Sequence, residues 1–324
     1  MVLVVRDDLS QPPKSIQNMT DLIDNEKVVA VFGPTNSGNA LAWKHIPNQK
    51  KVPVMGAIGS GTDITKPMRA GADNYMFRVG MVDREQVEGV IGYLKRNPKV
   101  KNVGFMIETT GYGQSALKDL EEVGAAQGVK AVAVEKFGVA DTDMTSQLNK
   151  LKSAKRGHGG DLGAEHAHRP RVPQYGEDQL VPADADVLGR RQHRVLRHGR
   201  QDAVGKAVLP AHHHRQPFAG AAKLYDRVSG QMTSPTAFGF LAHAYDGMHL
   251  MAMAVKQAGS TDGDKLRQAL ENLQGTYDGA MKTYTKPFSP TGHDALLVGD
   301  YKWAHWQDGK LVPYADDVTR AGAK

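Results

Sequence analysis

The chain has 324 residues, with 41 lysines and arginines against 35 aspartates and glutamates, and it contains no cysteine. This length suits two lobes of about 150 residues each, and the lack of cysteine excludes disulfides and cysteine-based metal or redox chemistry. The net charge of +6 divides evenly between residues 156–219 and the remainder, unlike the basic face of a nucleic-acid-binding protein. No run of 18 apolar residues occurs, so no membrane span is predicted.

Short apolar runs alternate with helical patterns over the first half of the chain. Strands are predicted at residues 2–5, 28–32, 52–55, 103–107 and 129–134. Helices are predicted at residues 16–25, 40–49, 83–96, 114–127 and 144–152. Because continuous apolar strands alternate with helices, the sequence predicts an α/β fold whose parallel sheets are covered on both faces.

The last third of the chain also follows local rules. An apolar stripe at helical spacing extends from Phe238 to Val255 and predicts a long helix. Gly259 is expected to end this helix, and Asp262 to cap a further helix at residues 265–273. Residues 301–313 alternate around Asp308-Gly309, which predicts a β-hairpin.

Residues 156–219 differ in composition from the rest of the chain. They contain nine arginines, eight of the 13 histidines and one lysine, but no Ser, Thr, Asn, Ile, Met or Trp. A disordered tract is normally rich in Ser, Lys or Glu. The bias resembles a GC-rich gene translated in the wrong frame, and we hypothesise two compensating frameshifts, near Ala154 and near Ala221.

Three strand-to-helix turns carry small polar residues, at residues 33–39, 56–63 and 108–113. In open parallel sheets ligands bind at the carboxyl ends of the strands, where helix amino termini present free N–H groups. Ser37 and Ser60 add hydroxyl donors, so the turns suit a carboxylate. The alternative is that the serines and threonines of these turns are only helix caps.

Motifs for other chemistries are incomplete. Residues 33–38 have the spacing of a phosphate loop, but Asn39-Ala40 stands where Lys-Ser/Thr is required. The histidines at 166–168 and 212–214 lack the spacing of zinc ligands on a helix. No dinucleotide fingerprint or nucleophile turn occurs. The sequence therefore predicts no catalytic residue, no metal and no cofactor, and a protein that is not an enzyme.

Six motifs occur together in a fixed order. They are Val-Phe-Gly-Pro-Thr-Asn-Ser-Gly-Asn-Ala (31–40), Lys-Lys-Val-Pro-Val-Met (50–55), Tyr-Met-Phe-Arg-Val (75–79), Thr-Thr-Gly-Tyr-Gly-Gln (109–114), Asp-Thr-Asp-Met-Thr (141–145) and Tyr-Asp-Gly-Met-His-Leu (245–250). As an ordered set they resemble the periplasmic leucine/isoleucine/valine-type (branched-chain amino acid) solute-binding proteins of ABC importers. The resemblance covers residues 1–154 and 221–324.

This resemblance implies the type I periplasmic binding fold, in which two doubly wound parallel-sheet lobes are joined by a three-crossover hinge. Lobe 1 would hold residues 1–99 and 221–290, and lobe 2 residues 100–220 and 291–324. A first strand, a first helix and an export leader would precede Val2. The family is periplasmic, whereas this sequence shows no signal peptide, so the product as written would stay cytoplasmic.

The resemblance also assigns a ligand site. The family's carboxylate-binding serine matches Ser37, its second hydroxyl donor matches Ser60, and the aromatic residue of its opposite lobe matches Tyr112. The predicted ligand-binding residues are Thr35, Asn36, Ser37, Ile58, Gly59, Ser60 and Tyr112.

The implied function is capture of an amino acid, or of another aliphatic or aromatic acid, by hinge closure and its delivery to a membrane permease. The protein would act as a monomer, without a nucleic-acid partner. One alternative is a ligand-sensing regulator or receptor domain of the same fold. Others are an unrelated doubly wound enzyme and a non-functional gene product. Neighbouring genes for a permease and an ATPase would indicate the importer, whereas a neighbouring regulator gene would indicate the sensor.

The frameshift hypothesis predicts the outcome of peptide mass mapping. Peptides of the natural product that span residues 156–219 should deviate in mass from the printed sequence, while peptides from residues 1–152 should match it. A complete match across residues 156–219 would end the hypothesis.

Overall fold

The computed structural model describes residues 2–97, 102–156, 208–211, 219–232, 237–300, 302–307 and 310–313. The chain forms two compact units, Met1–Asp83 with Arg215–Asp300 and Arg84–His214 with Tyr301–Lys324. The lobe boundaries implied by the resemblance stay a prediction. Most of the biased segment 156–219 lies outside the described residues, as do the histidines at 166–168 and 212–214.

Helices and strands are interspersed along the described residues. The helices are α1 (Pro12–Asp24), α2 (Ser37–Trp43), α3 (His45–Lys50), α4 (Asp83–Arg96), α5 (Gly111–Gln127), α6 (Thr145–Arg156), α7 (Ala219–Val228), α8 (Ala237–Ala258) and α9 (Gly263–Glu271). The strands are β1 (Val31–Phe32), β2 (Val54–Gly56), β3 (Met76–Arg78), β4 (Gly104–Glu108), β5 (Ala133–Phe137), β6 (Val208–Ala211), β7 (Thr276–Asp278), β8 (Thr283–Thr285), β9 (Lys302–Gln307) and β10 (Lys310–Pro313). Within the described ranges, no helix is both long and apolar enough to cross a membrane.

Residues 2–5 were predicted as a strand, and this prediction is wrong. Val2 is 89% exposed and Val5 is 73% exposed, and no described strand pairs with the segment. Apolar patterning alone does not make a strand, because ladder hydrogen bonds require a neighbouring chain.

The helix predicted at residues 40–49 is two helices, α2 and α3. Pro47 has no N–H to donate to the carbonyl of Trp43, so the helical ladder is interrupted between them. The strand predictions also need correction. Strands β3, β6, β7 and β8 were not predicted, β1 and β2 begin later than predicted, and β5 begins at Ala133 instead of residue 129.

Strands β1, β2 and β3 form a parallel sheet in that order in the first unit. Val54 and Met76 belong to a core shared with α1 and α2. Their neighbours Met55 and Phe77 belong to a second core, shared with α8 and α9. Because alternate residues face opposite sides of a strand, the sheet is covered by helices on both faces, as the predicted doubly wound fold requires.

Helix α8 packs closely on this sheet through the Tyr-Asp-Gly-Met-His-Leu motif. A Cβ atom on Gly247 would lie 2.9 Å from Met55 Cγ, so a larger residue would push the helix outward. One turn earlier, the buried His243 places Nδ1 2.8 Å from the carbonyl oxygen of Val79. The helix therefore contacts the backbone just beyond β3 directly.

Asp246 of the same helix holds the β7–β8 hairpin. Its fully buried carboxylate accepts hydrogen bonds from the N–H groups of Ala280 (2.7 Å) and Met281 (2.8 Å). The hydroxyls of Tyr277 and Tyr284 donate to it at 3.1 Å. Burial raises the pKa of Asp246, and these donors oppose that rise. The motif therefore has a structural role in fastening the hairpin to α8.

The second unit contains a parallel pair, β4 and β5, in which Gly104 faces Ala133 and Glu108 faces Phe137. Apolar residues of α4, β4 and α5 form its core. A Cβ atom on Gly104 would lie 2.8 Å from Cδ2 of Leu151 in α6, so a larger residue would require the Leu151 side chain to shift.

Three predictions about the C-terminal third are confirmed. Strands β9 and β10 pair antiparallel, with Lys310 opposite Gln307, as the predicted hairpin requires. Gly259 has φ +57°, and its N–H donates to the carbonyl of Val255 at the end of α8. Asp262 caps α9 by accepting a hydrogen bond from the Lys265 N–H at 3.0 Å.

The buried His243 predicts a pH dependence of stability. Burial lowers the pKa of His243 to about 4, below the unfolded value of about 6.5. Its contribution to stability is therefore present above pH 6.5 and lost as the pH falls toward 4. Between pH 7 and pH 5 the free energy of unfolding should decrease by about 2 kcal/mol more in the parent than in His243→Asn. Urea unfolding of both proteins at both pH values measures this difference, and equal losses would contradict the prediction.

Candidate functional site

The first candidate turn joins β1 to α2. Asn36 is the N-cap of α2, and its side-chain oxygen accepts a hydrogen bond from the Asn39 N–H at 3.2 Å. Thr35 is exposed, whereas Ser37, the first residue of the helix, is only 2% exposed. The cap of this helix is thus Asn36, and the interpretation of Ser37 as a mere cap is wrong.

The second candidate turn follows β2, with Ile58 half-buried and both Gly59 and Ser60 buried. The Gly61 N–H donates to the Ser37 hydroxyl oxygen at 3.1 Å. A Cβ atom on Gly59 would lie 3.5 Å from the carbonyl oxygen of Pro34. Because β1 and β2 are adjacent parallel strands, their carboxyl ends bring the two turns into contact.

Hydrogen-bonding capacity remains at this junction. The Ser37 hydroxyl accepts from Gly61, so it keeps its own proton to donate. Ser60 is 6% exposed, and no described residue pairs with its hydroxyl or accepts from its N–H. The junction can therefore donate hydrogen bonds to a ligand that brings acceptor oxygens.

Arg78, the last residue of β3, lies beneath the second turn with a fully buried side chain. Its Nη1 donates to the carbonyls of Gly59 at 3.1 Å and Gly61 at 2.9 Å. Its Nε donates to a carboxylate oxygen of Asp294 at 2.7 Å. Its Nη2 donates to the Thr65 hydroxyl at 3.1 Å, and that hydroxyl also contacts Asp294. The guanidinium therefore ties the turn to two other segments.

Lys44 supports the chain just after this turn. Its ammonium donates to the carbonyls of Asp63 at 2.5 Å and Lys66 at 2.8 Å. The pKa of Lys44 is lowered, mainly by burial, although the negative charge of Asp63 acts to raise it.

The third candidate turn belongs to the second unit and contains Tyr112. Thr110 is the N-cap of α5, where its hydroxyl accepts a hydrogen bond from the Tyr112 N–H at 3.3 Å. A Cβ atom on Gly113 would lie 2.0 Å from the carbonyl oxygen of Glu108, so only glycine fits there. Tyr112 itself is half-buried. Here the cap interpretation is correct for the threonine, and the ligand role of Tyr112 stays a prediction.

Sequence reasoning assigned no role to Arg78, Thr65 or Asp294. The signal was present for Arg78, because it stands inside the apolar run 75–79, and a buried charge requires partners. Its partner Asp294 is 216 residues away in the sequence, and no local pattern identifies such a pair.

The junction offers neutral donors and no reactive group. Within the described ranges, no cluster of three His, Cys, Asp or Glu residues could hold a metal ion. Hydroxyl and N–H donors that converge on one point can bind an anion reversibly.

A family model described as Periplasmic binding protein matches residues 1–310. The chain belongs to the periplasmic binding protein family. Its relatives include the Leu/Ile/Val-binding protein homolog 7 of Brucella abortus (strain 2308), which is 22% identical over 343 residues. That match covers 98% of this chain and 82% of the relative.

Solved structures show the same fold at low sequence identity. A periplasmic binding protein type 1 from Bordetella pertussis Tohama I is 21% identical with a TM-score of 0.73, covering 95% of this chain and 87% of that one. LivJ from Streptococcus pneumoniae, in complex with isoleucine, is 19% identical with a TM-score of 0.69, covering 96% and 85%. A solute-binding protein from R. palustris, in complex with 4-hydroxybenzoate, is 17% identical with a TM-score of 0.68, covering 96% and 84%.

These matches confirm the type I periplasmic binding fold predicted from the six motifs. The family consists of solute-binding proteins and not of enzymes, which confirms the predicted class. Several of the similar solved structures are described as solute- or substrate-binding proteins of ABC transporters.

The cap of α2 predicts a stability effect at the first turn. Asn36→Ala removes the acceptor for the Asn39 N–H and should lower the free energy of unfolding by about 1 kcal/mol. Asp262→Ala, which removes the cap of α9, serves as the matched control and should cost a similar amount. Urea unfolding measures both variants, and an unchanged Asn36→Ala protein would contradict the cap assignment.

Proposed function

We propose that this protein is the extracytoplasmic solute-binding subunit of an ABC importer. It captures an amino acid or another small carboxylate by hinge closure and delivers it to a membrane permease. The observation that carries the proposal is the hydrogen bond from the Gly61 N–H to Ser37, which joins the two turns and keeps the serine proton available. The predicted residues Thr35, Asn36, Ile58 and Gly59 line these same turns.

A carboxylate matches this arrangement chemically. Its oxygens accept hydrogen bonds only, and the junction supplies the Ser37 hydroxyl together with the hydroxyl and N–H of Ser60. Hydrogen bonds to a charged group contribute about 1.5–3 kcal/mol each. Two or three such bonds account for a substantial part of micromolar affinity, which corresponds to about −8 kcal/mol.

The ligands of similar proteins support the same chemical class. LivJ from Streptococcus pneumoniae holds isoleucine, and the R. palustris protein holds 4-hydroxybenzoate. These molecules differ in shape and polarity but share a carboxylate. We therefore assign the carboxylate to the Ser37–Ser60 junction and the remainder of the solute to other residues, with Tyr112 as one predicted contact. We also propose that the protein acts as a monomer and docks on its permease partner.

The proposal predicts binding by the full 324-residue chain. L-Leucine, L-isoleucine and 4-hydroxybenzoate are screened by thermal shift, since a ligand that binds only the folded state raises the melting temperature. The best of them is then titrated calorimetrically. Ser37→Ala and Ser60→Ala should each weaken binding by about one to two decades, because each removes a hydrogen bond to a charged group. The double variant should lose less than the sum, since both hydroxyls address one carboxylate.

Ser15→Ala is the matched control, because Ser15 is a buried serine of the same unit that bonds Asp8 and Trp43 instead of the junction. Its affinity for the same acid should equal that of the parent. If Ser37→Ala and Ser60→Ala both bind like the parent, the site has been misplaced. If the parent binds none of the three acids, the proposed solute class is wrong.

A further inference from the structure

Arg78 and its neighbours hold three successive carbonyl groups of the second turn. The carbonyl of Gly59 accepts from Arg78, and that of Gly61 accepts from Arg78 and from the Ile64 N–H at 3.1 Å. The carbonyl of Ser60, between them, accepts from the Asp83 N–H at 2.8 Å. Hydrogen bonds with Arg78 and with the Asp83 N–H therefore fix the backbone on both sides of Ser60.

These contacts determine where the amide groups of the turn point. The peptide bonds of the turn are trans, so each C=O is opposite in direction to the N–H of the next residue. Because the Gly59 carbonyl points to Arg78, the Ser60 N–H points away from the guanidinium. Because the Ser60 carbonyl points to Asp83, the Gly61 N–H points the other way, and it donates to Ser37.

We infer that Arg78, held by Asp294 and Thr65, is the positioning residue that orients the Ser60 donors and the Gly61–Ser37 hydrogen bond toward the carboxylate of the solute. The inference rests on the proposed function and adds a residue that does not contact the solute. Arg78 acts through the two carbonyls that flank Ser60.

Only an arginine satisfies this geometry. Its planar fork serves both glycine carbonyls from Nη1, Asp294 from Nε and Thr65 from Nη2 at the same time. A lysine keeps the charge but concentrates its donors at one flexible point. Arg78→Lys therefore preserves the net charge but loses the hydrogen bonds that orient the turn. Thr65→Val is a milder change, because it removes the hydroxyl that accepts from Arg78 Nη2.

Hydrogen exchange tests the positioning without any ligand. The exchange rates of the Gly61 and Asp83 amide hydrogens report local opening of the turn. The exchange rate of the Leu250 amide hydrogen, in the α8 core, reports opening of the whole unit. Relative to Leu250, both turn amides should exchange about tenfold faster in Arg78→Lys, and less so in Thr65→Val. Tyr284→Phe, which loses one hydrogen bond to Asp246, is the control and should leave this ratio unchanged. An unchanged ratio in Arg78→Lys would overturn the inference.

Binding tests the consequence for the solute. The acid that the parent binds best, among L-leucine, L-isoleucine and 4-hydroxybenzoate, is compared with its methyl ester. Arg78→Lys should weaken binding of the acid about tenfold and reduce the acid-over-ester preference by the same factor, whereas Tyr284→Phe should keep the preference. Equal losses for acid and ester, or no loss, would overturn the inference. If the parent binds no acid, the proposed function fails, while the exchange ratio still decides whether Arg78 orients the turn.

Discussion

The burial of one guanidinium constrains three separate segments of the first unit. A buried charge costs several kcal/mol unless it is paired and hydrogen-bonded, and Arg78 meets this requirement with Asp294, Thr65 and two backbone carbonyls. The backbone of Arg78 adds two more contacts, from its N–H to the carbonyl of His293 and from the Ala295 N–H to its own carbonyl. Strand β3, the second turn and residues 293–295 therefore depend on one another, although they are far apart in the chain.

Local signals in the sequence predicted much of the fold. Helix α4 has the predicted bounds of residues 83–96, and Gly259 and Asp262 act at the helix ends as expected, because caps and periodicity depend on neighbouring residues only. The failures have non-local or overriding causes. Residues 2–5 have strand composition but no described pairing partner, and Pro47 interrupts a helix that periodicity alone continues.

The candidate site was predictable in its position and not in its detail. The end of a strand followed by small polar residues indicated Ser37 and Ser60, and adjacent parallel strands explain why their turns meet. Residue types and spacing alone do not distinguish helix caps from ligand donors. The structure identifies the caps, since Asn36 caps α2 and Thr110 caps α5, while Ser37 lies inside its helix. The role of Arg78 required its three-dimensional partners.

Three buried ionisable groups of the first unit, His243, Asp246 and Arg78, are each accommodated in a different way. Burial keeps His243 neutral, Asp246 is surrounded by four donors, and Arg78 is paired with Asp294. The Arg78 guanidinium is therefore committed to protein acceptors, and under the proposed function the carboxylate of the solute meets neutral hydroxyl and N–H donors at the junction. Such donors bind a carboxylate without the desolvation penalty of a second buried charge. Their strength is also limited to about 1.5–3 kcal/mol each, which suits a carrier that must release its solute as well as capture it.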